Sequence, residues 1–245
     1  MLRSFIGIIR RLFDGYIIPR TCPVCGCSLE SDEDVMCMEC LIKMPLCQER
    51  GPEIFDIRGA IVNSAAPLGL AAAWYHYDPK SPYANLIRKA KYSDSPRMAR
   101  RLGAMFAAEQ LRRGTTDGEL SIKDVDVLLP MPMHKSKLRK RGYNQSEEIA
   151  LGMAEVLGIP VGDNLVAIKP HNTQTRLGNT ERASNLHGCF ALQHAEELAG
   201  LNVAIVDDII TTGASMTEAA STLSWGAPNT ASISYLALAR TVAKG

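Results

Sequence analysis

The sequence predicts an α/β fold, a mostly parallel sheet flanked by helices, with a small cysteine-rich module at its N-terminal end. Three observations carry this reading. From residue 122 onward, short apolar runs alternate with helical patterns, as they do where parallel strands are joined by crossover helices. The run Val203–Val206 is wholly apolar and leads into Asp207-Asp208, which suits a strand buried on both faces that delivers acids to a ligand site at its carboxyl end. Six of the 7 cysteines lie within the first 47 residues, too local for a disulfide framework across 245 residues and better suited to a metal site in a reducing compartment.

Taken in order, residues 1–19 predict an amphipathic helix ended by Pro19. Leu2, Phe5, Ile6, Ile9, Leu12, Phe13 and Tyr16 recur at three- and four-residue spacing along one face. Packing on the rest of the protein is favoured over attachment to a membrane surface. The segment is interrupted by Arg3, Arg10, Arg11 and Asp14 and lacks a cleavage site, so it is not expected to be a signal peptide. No apolar run is long enough to span a bilayer, and the cytoplasm is the expected address. Residues 20–50 form the cysteine module, which sets a boundary between residues 1–50 and a main domain of residues 51–245. Short strands are predicted at Ala60–Ala65 and Leu70–Tyr77. Helices are predicted from Ser81-Pro82 through Tyr92 and from Ser95-Pro96 to about Arg113, since proline is tolerated in a first helical turn. Beyond these come a strand at Val125–Leu129, a basic loop at Pro130–Tyr143, a helix at Asn144–Leu157 and a strand at Leu165–Ile168. A polar stretch, His171–His187, precedes a short helix ending at Glu196–Ala199. The strand Val203–Val206, the helix Gly213–Trp225 and the strand Ala231–Ala239 close the chain.

The cysteines read as a metal site. Cys22-x2-Cys25 and Cys37-x2-Cys40 are two tight-turn thiol pairs separated by eleven residues. Two such turns complete the tetrahedral sulfur shell that zinc takes in closed, structural sites. Cys27 and Cys47 are not needed for it, and the isolated Cys189 reads as a small buried residue. The net charge of +1, with 27 Lys+Arg against 26 Asp+Glu, gives no global argument for nucleic-acid binding, and 6% aromatics do not provide for stacking many bases.

The segment after Val206 carries the densest chemistry. Two acids at a buried strand's end are costly unless they meet cations or hydroxyls. Thr211-Thr212-Gly213-Ala214-Ser215 then opens a helix. A helix opening presents unpaired N–H groups and the positive end of the helix dipole, a cradle for phosphate, and Gly213 lets backbone approach a ligand closely. Phosphate on the loop and vicinal hydroxyls on Asp207 and Asp208 describe a phosphorylated polyol. The bland alternative is an acidic strand-to-helix turn with a cap.

Two further segments keep their alternatives. His134-Lys135-Ser136-Lys137-Leu138-Arg139-Lys140-Arg141 holds five Lys/Arg in eight residues, which suits pyrophosphate, a nucleic-acid backbone or a solvated loop. Asn144 is either a ligand contact or an N-cap, with Glu147 three residues on completing a capping-box-like pair. Arg182 either neutralises a leaving pyrophosphate or pairs with a carboxylate.

These motifs together resemble the ComF family, a branch of the type I phosphoribosyltransferases. Val203–Ser215 is similar to the signature for phosphoribosyl pyrophosphate (PRPP). The supporting segments are Leu129-Pro130-Met131-Pro132-Met133-His134, Arg141-Gly142-Tyr143-Asn144-Gln145, Gln174-Thr175 with Arg182 and Asn185, Cys189-Phe190 and the paired cysteines. The resemblance implies a type I phosphoribosyltransferase fold with a zinc ribbon of Cys22, Cys25, Cys37 and Cys40. It implies that Asp207 and Asp208 hold ribose hydroxyls and that Thr211, Thr212, Gly213, Ala214 and Ser215 hold the 5′-phosphate. Met131, Pro132, Met133, His134 and Lys135 then take the place of the pyrophosphate loop. Arg182 and Gln174 lie in the place of a mobile loop over the site, with Arg141, Asn144 and Gln145 nearby. Magnesium is implied with the ligand. Two functions follow: transfer of phosphoribose to or from a base, or a non-catalytic adaptor or sensor in competence that meets single-stranded DNA or competence proteins. Neither the acceptor base nor the oligomeric state follows from the residues.

Overall fold

The computed structural model describes residues 20–48, 66–92, 96–114, 120–169 and 188–241. The helix expected over residues 1–19, the strand at Ala60–Ala65 and the polar stretch His171–His187 lie outside the described residues.

Four strands form a parallel sheet: β1 (Leu68–Tyr77), β2 (Val127–Pro130), β5 (Asn202–Ile210) and β6 (Ser232–Thr241), in the order β1-β6-β5-β2. Side chains alternate across it with a period of two. Leu70, Ala72, Trp74, Leu128, Ala204, Val206, Leu236 and Leu238 enter one core. Ala71, Ala73, Val127, Leu129, Val203, Ile205, Ile233, Tyr235 and Ala237 enter the other. A sheet covered on both faces needs apolar side chains at every position, which is why these strands read as continuous apolar runs.

The first face is covered by α2 (Ala84–Tyr92), α3 (Pro96–Arg113) and α5 (Gln145–Leu157). α3 and α5 cross closely enough for glycine to be required: a Cβ on Gly152 would lie 1.8 Å from the Arg100 carbonyl oxygen, and one on Gly103 2.1 Å from that of Ile149. The cysteine module, with α1 (Met38–Ile42), joins the same core through Cys22, Val35, Met36, Cys37, Cys40 and Met44. Its exit strand-like segment bonds to β1: the Cys47 N–H donates to the Trp74 carbonyl (2.9 Å) and the His76 N–H to that of Pro45 (2.8 Å). The second face is covered by α6 (Ala214–Gly226), through Met216, Ala219, Ala220 and Leu223, and by Leu165 and Phe190. The predicted α/β class, parallel sheet and flanking helices are thus observed.

Three expectations need correction. Pro130–Tyr143 is not a loop throughout, because Lys135–Arg141 forms a short helix, α4. His134 caps its start by accepting from the Ser136 N–H, and Gly142 ends it with a φ of 87°; these two caps hold a turn whose own residues bury nothing. The strand near residue 165 is β3 (Leu165–Ala167). It leaves the main sheet and pairs antiparallel with β4 (Phe190–Leu192), forming a separate two-stranded ribbon. β5 does not stop at Val206: its ladder with β6 continues through Asp207↔Ala237 to Ile210↔Arg240, so the acids sit inside a paired strand rather than beyond it.

Candidate functional site

In the cysteine module, one sulfur atom from each of Cys22, Cys25, Cys37 and Cys40 lies within 4.8 Å of all the others. Tetrahedral bonds of about 2.3 Å to sulfur imply S···S edges of about 3.8 Å, and the Cys25–Cys37 separation is 3.7 Å. The donor set and spacing therefore fit one tetrahedral metal. Backbone geometry favours thiolates here as well. Burial opposes ionisation of Cys22, but N–H groups of Cys37, Cys25 and Val24 outweigh it and hold its pKa below the usual thiol value. At Cys25 the N–H and thiol of Cys27 bring the pKa down to about 6. Lowered thiol pKa values suit metal binding at these two positions, whereas burial and the neighbouring thiols push Cys40 up. Cys27 lies 3.3 Å from Cys25 at the rim of the cluster, and Cys47 is buried beside His76, 3.5 Å from its Nδ1.

The second site forms at the carboxyl ends of β2 and β5, where open α/β sheets place ligands. The two strands deliver it together. Pro130 is level with Val206, and the Met131 N–H donates to the Val206 carbonyl (2.8 Å), so the segment after β2 lies beside the acid pair. Asp208 is 3% exposed. Its Oδ2 lies 2.8 Å from the Lys91 ammonium, which reaches in from the last turn of α2. Burial works against that ammonium, yet the charge and hydrogen bond of Asp208, with the charge of Asp207, hold its pKa above the usual lysine value. Asp207 turns to α5: its Oδ1 accepts from the Ser146 hydroxyl and from the Asp208 N–H, each at 2.8 Å. Burial, and then the neighbouring Asp208 charge, push the Asp207 carboxyl up to about 7, against the opposing pull of Ser146, the Asp208 N–H and Lys91.

The predicted residues fall into groups. Asn144 caps α5, accepting from the Ser146 N–H (3.1 Å), while its amide donates to the Met131 carbonyl (3.0 Å), tying the segment after β2 to the start of α5. The capping role is therefore filled; Glu147 is exposed, and the first-turn acid with an ion-pair partner is Glu148, 2.9 Å from Arg100 Nε. Arg141 hydrogen-bonds Gln145. His134 spends its imidazole on its own helix, with Nδ1 2.8 Å from the Ser136 hydroxyl, and Lys135 is exposed. Gly213 stands at the N-cap of α6 with a φ of 75°, and the loop before it runs from exposed Thr211 to buried Gly213. Gln174 and Arg182 lie outside the described residues.

Lys91 and Ser146 escaped the sequence reading. Ser146 follows the singled-out Gln145 in the first turn of a helix. Lys91 is one of several cations on a polar helix end, and only the fold brings it to Asp208. Tyr143 anchors that end, its hydroxyl donating to the Ala90 carbonyl at 2.5 Å.

No family model matches the chain. It is 33% identical over 99 residues to Competence protein F of Haemophilus influenzae, covering 40% of this chain and 43% of that one. It is 32% identical over 94 residues to Competence protein ComFC of Bacillus subtilis, covering 38% and 36%. With the DNA utilization protein YhgH of Escherichia coli K12 it shares 25% over 203 residues, 82% and 83% of the two chains. The stretch shared with Competence protein F is thus under half of that relative's length, and that shared with YhgH of Salmonella typhimurium is 63% of it. Among solved structures, it is similar to the allosteric regulatory enzyme of purine biosynthesis, at 18% identity and a TM-score of 0.40 over 62% of this chain and 30% of that one. It is likewise similar to glutamine PRPP amidotransferase from B. subtilis, at 18% and 0.30 over 50% and 25%. The sequence relatives support the resemblance to the ComF family that the motifs carry.

Proposed function

We propose that this ComF-family chain binds PRPP, or a related phosphoribosyl ligand, with magnesium at the carboxyl ends of β2 and β5. The observation that carries the reading is the acid pair on β5, followed after four residues by a left-handed glycine and the opening of α6. Asp207 and Asp208 accept the ribose hydroxyls. The N–H groups and hydroxyls of Thr211, Thr212, Gly213, Ala214 and Ser215 take the 5′-phosphate, since the first N–H groups of a helix have no partner within it. Met131, Pro132, Met133, His134 and Lys135 border the pyrophosphate, and Arg182, with Gln174, Arg141, Asn144 and Gln145, completes the site. Magnesium adds positive charge against the pyrophosphate. In the enzyme form of the reading, a base nitrogen attacks the anomeric carbon and the bond to pyrophosphate breaks, pyrophosphate leaving with the bonding pair. The four clustered cysteines hold zinc as a structural ion. Residues 1–50 serve as the metal-stabilised module and residues 51–245 as the ligand-binding domain, in the reducing cytoplasm that suits thiolate metal ligands.

Calorimetry with PRPP and magnesium tests the site. Saturable binding supports it, and no heat with PRPP, nucleotides or ribose 5-phosphate overturns it. Release of pyrophosphate with a base separates the enzyme from the non-catalytic form.

A second reading is favoured by the names of the relatives, which place those proteins in competence and DNA utilization. In it the same scaffold is an adaptor or sensor that meets single-stranded DNA through α4, where Lys135, Arg139 and Lys140 are exposed. Replacing the five basic residues of Lys135–Arg141 with Ser then flattens the slope of log affinity against log salt; an unchanged slope removes this helix from the surface.

A further inference from the structure

We infer that Cys25 and Cys27 form a peroxide-modifiable thiol pair at the rim of the metal cluster, whose closure to a disulfide withdraws one of the four zinc ligands; this rests on the zinc reading above. Five thiols stand around a shell that takes four. Cys22, Cys37 and Cys40 are buried, whereas Cys25 and Cys27 are exposed. Cys25 is thus the one member of the four-sulfur group that solvent reaches. Cys27 lies outside that group, yet its sulfur is 3.3 Å from that of Cys25. The fellow ligand Cys37 is farther from Cys25, at 3.7 Å. Local backbone geometry sets this up. The Gly26 N–H donates to the Cys22 carbonyl (2.9 Å) and the Cys22 N–H to that of Cys27 (2.8 Å), while Thr21 and Ser28 pair antiparallel on either side. Between the two thiols Gly26 takes a φ of 81°, where a side chain would be strained. The knuckle is closed at both ends, and the turn at Gly26 folds Cys27 back beside Cys25.

The chemistry follows from exposure and proximity. The oxidant is hydrogen peroxide, small enough to reach an exposed sulfur and kept from the buried three. The Cys25 thiolate sulfur attacks one peroxide oxygen, the O–O bond breaks and hydroxide leaves, giving a sulfenic acid. The Cys27 sulfur then attacks the Cys25 sulfur. The S–S bond forms, the S–O bond breaks, and the departing hydroxide takes the Cys27 proton as water. Two electrons have passed from the two sulfurs to the peroxide. A disulfide S–S bond is about 2.05 Å long, so the pair closes by roughly 1 Å. A disulfide sulfur is no thiolate, so the shell keeps three ligands of four and loses its hold on the metal. The consequence reaches beyond the turn. The Pro23 carbonyl accepts from the Asn85 amide (3.0 Å) and the Cys40 carbonyl from the Tyr83 hydroxyl (2.7 Å). These bonds hold the start of α2, the helix whose last turn carries Lys91 to Asp208.

The test treats the metal-loaded full chain with hydrogen peroxide and follows released zinc with a metal-sensitive dye. Cleavage after Arg20 and Glu30 isolates Cys22, Cys25 and Cys27 on one peptide, whose mass and fragmentation locate the disulfide. In the wild type, zinc is expected to leave as the Cys25–Cys27 disulfide forms, with Cys22 still open to alkylation. Dithiothreitol and added zinc then restore one metal per chain. Cys27→Ser is expected to carry the same metal and melt at the same temperature before treatment, because Cys27 is not a ligand. With no thiol left to trap the sulfenic acid, its Cys25 goes on to the sulfinic acid, and recovery of the metal by dithiothreitol is lost. A Cys27→Ser protein that recovers its metal as the wild type does overturns the inference, and so does a disulfide between Cys22 and Cys25. If Cys27→Ser binds no zinc as purified, Cys27 is itself a ligand and the pair is wrong. If peroxide leaves the wild-type metal in place, the zinc reading stands and the pair is wrong. If the wild type carries no metal as purified, the zinc reading falls and takes the inference with it.

Discussion

The cysteine module and the acid site both gather ionisable groups, but they gather them in opposite ways. The four metal-type cysteines lie within nineteen positions of one another, from Cys22 to Cys40, and three of the four are buried. The acid site draws on Lys91, Met131, Arg141, Ser146, Asp207 and Asp208 from five elements or their ends. A group assembled by local turns closes on its own ligand and serves stability. A group assembled by the fold stands at the mouth of a sheet, holding charges that balance one another until a ligand arrives. The first kind of site should therefore fail as structure, and the second as binding.

The largest expected effect tests the structural half. Removing the metal, with a chelator or by Cys37→Ser, should lower the melting temperature steeply, since structural zinc contributes roughly 10–16 kcal/mol in small domains. Cys22, Cys37 and Cys40 share a core with Leu102 and Phe106 of α3, so the loss should reach the main domain rather than stop at the module. One metal per chain is expected by elemental analysis. Less than about half an equivalent, or a melting curve that chelation does not move, would sink the metal site.

The same contrast explains what was legible in the sequence. Cys22-x2-Cys25 with Cys37-x2-Cys40 could be read directly, because sequence spacing alone sets the distances in a tight turn. The apolar run Val203–Val206 announced a buried strand, and the loop at Gly213 a helix start, for the same local reason. Lys91 carried no such mark: its partner lies 117 positions away, and nothing near it in the chain distinguishes it from Lys89. α4 was hidden because five cations in eight residues read as solvated coil; the caps at His134 and Gly142 make it a helix. β5 was cut short at Asp207 because acids rarely sit inside a buried strand, and here Lys91 and Ser146 supply the partners that permit it.

The next effect sharpens the binding half. Asp208→Asn keeps the shape of the side chain and removes a charge, so PRPP affinity should fall on the order of tenfold to a hundredfold, one charge-assisted bond contributing about 1.5–3 kcal/mol. Stability should fall too, by up to about 3–5 kcal/mol, because the largely buried Lys91 loses its counter-ion. Adding Lys91→Met should recover most of that stability and none of the binding. A double variant that regains both would reduce the pair to a structural ion pair. Gly213→Val should act differently: a β-branched residue at a φ of 75° costs about 1–2 kcal/mol and crowds the N–H groups meant for phosphate. It should abolish ribose 5-phosphate binding while leaving the metal content at one per chain. Retained binding would place the phosphate elsewhere.

The smallest effect concerns protons on Asp207. Its carboxyl is pushed up to about 7 by burial and by Asp208, whereas an aspartate in the unfolded chain titrates near 3.9. Below about pH 4 the group is protonated in both states and contributes no pH dependence. Between about pH 4 and 7 the unfolded chain ionises while the folded one keeps its proton, so this residue makes stability fall as pH rises, by no more than about 1.4 kcal/mol per pH unit. Above pH 7 both are ionised and the penalty is constant. Asp207→Asn should flatten that part of the profile relative to wild type. Ser146→Ala should extend it to higher pH, because the Ser146 hydroxyl stabilises the ionised form, at a cost of about 1 kcal/mol for one hydrogen bond. Ligand binding should follow the opposite course. A carboxylate that accepts ribose hydroxyls must be ionised, so PRPP affinity should weaken as pH drops below 7, and this dependence too should vanish in Asp207→Asn. Urea unfolding and calorimetry at pH 5, 6, 7 and 8 measure both. If Asp207→Asn follows the wild-type profile in each, Asp207 is an ordinary ionised carboxylate, and the acid pair holds no proton in this pH range.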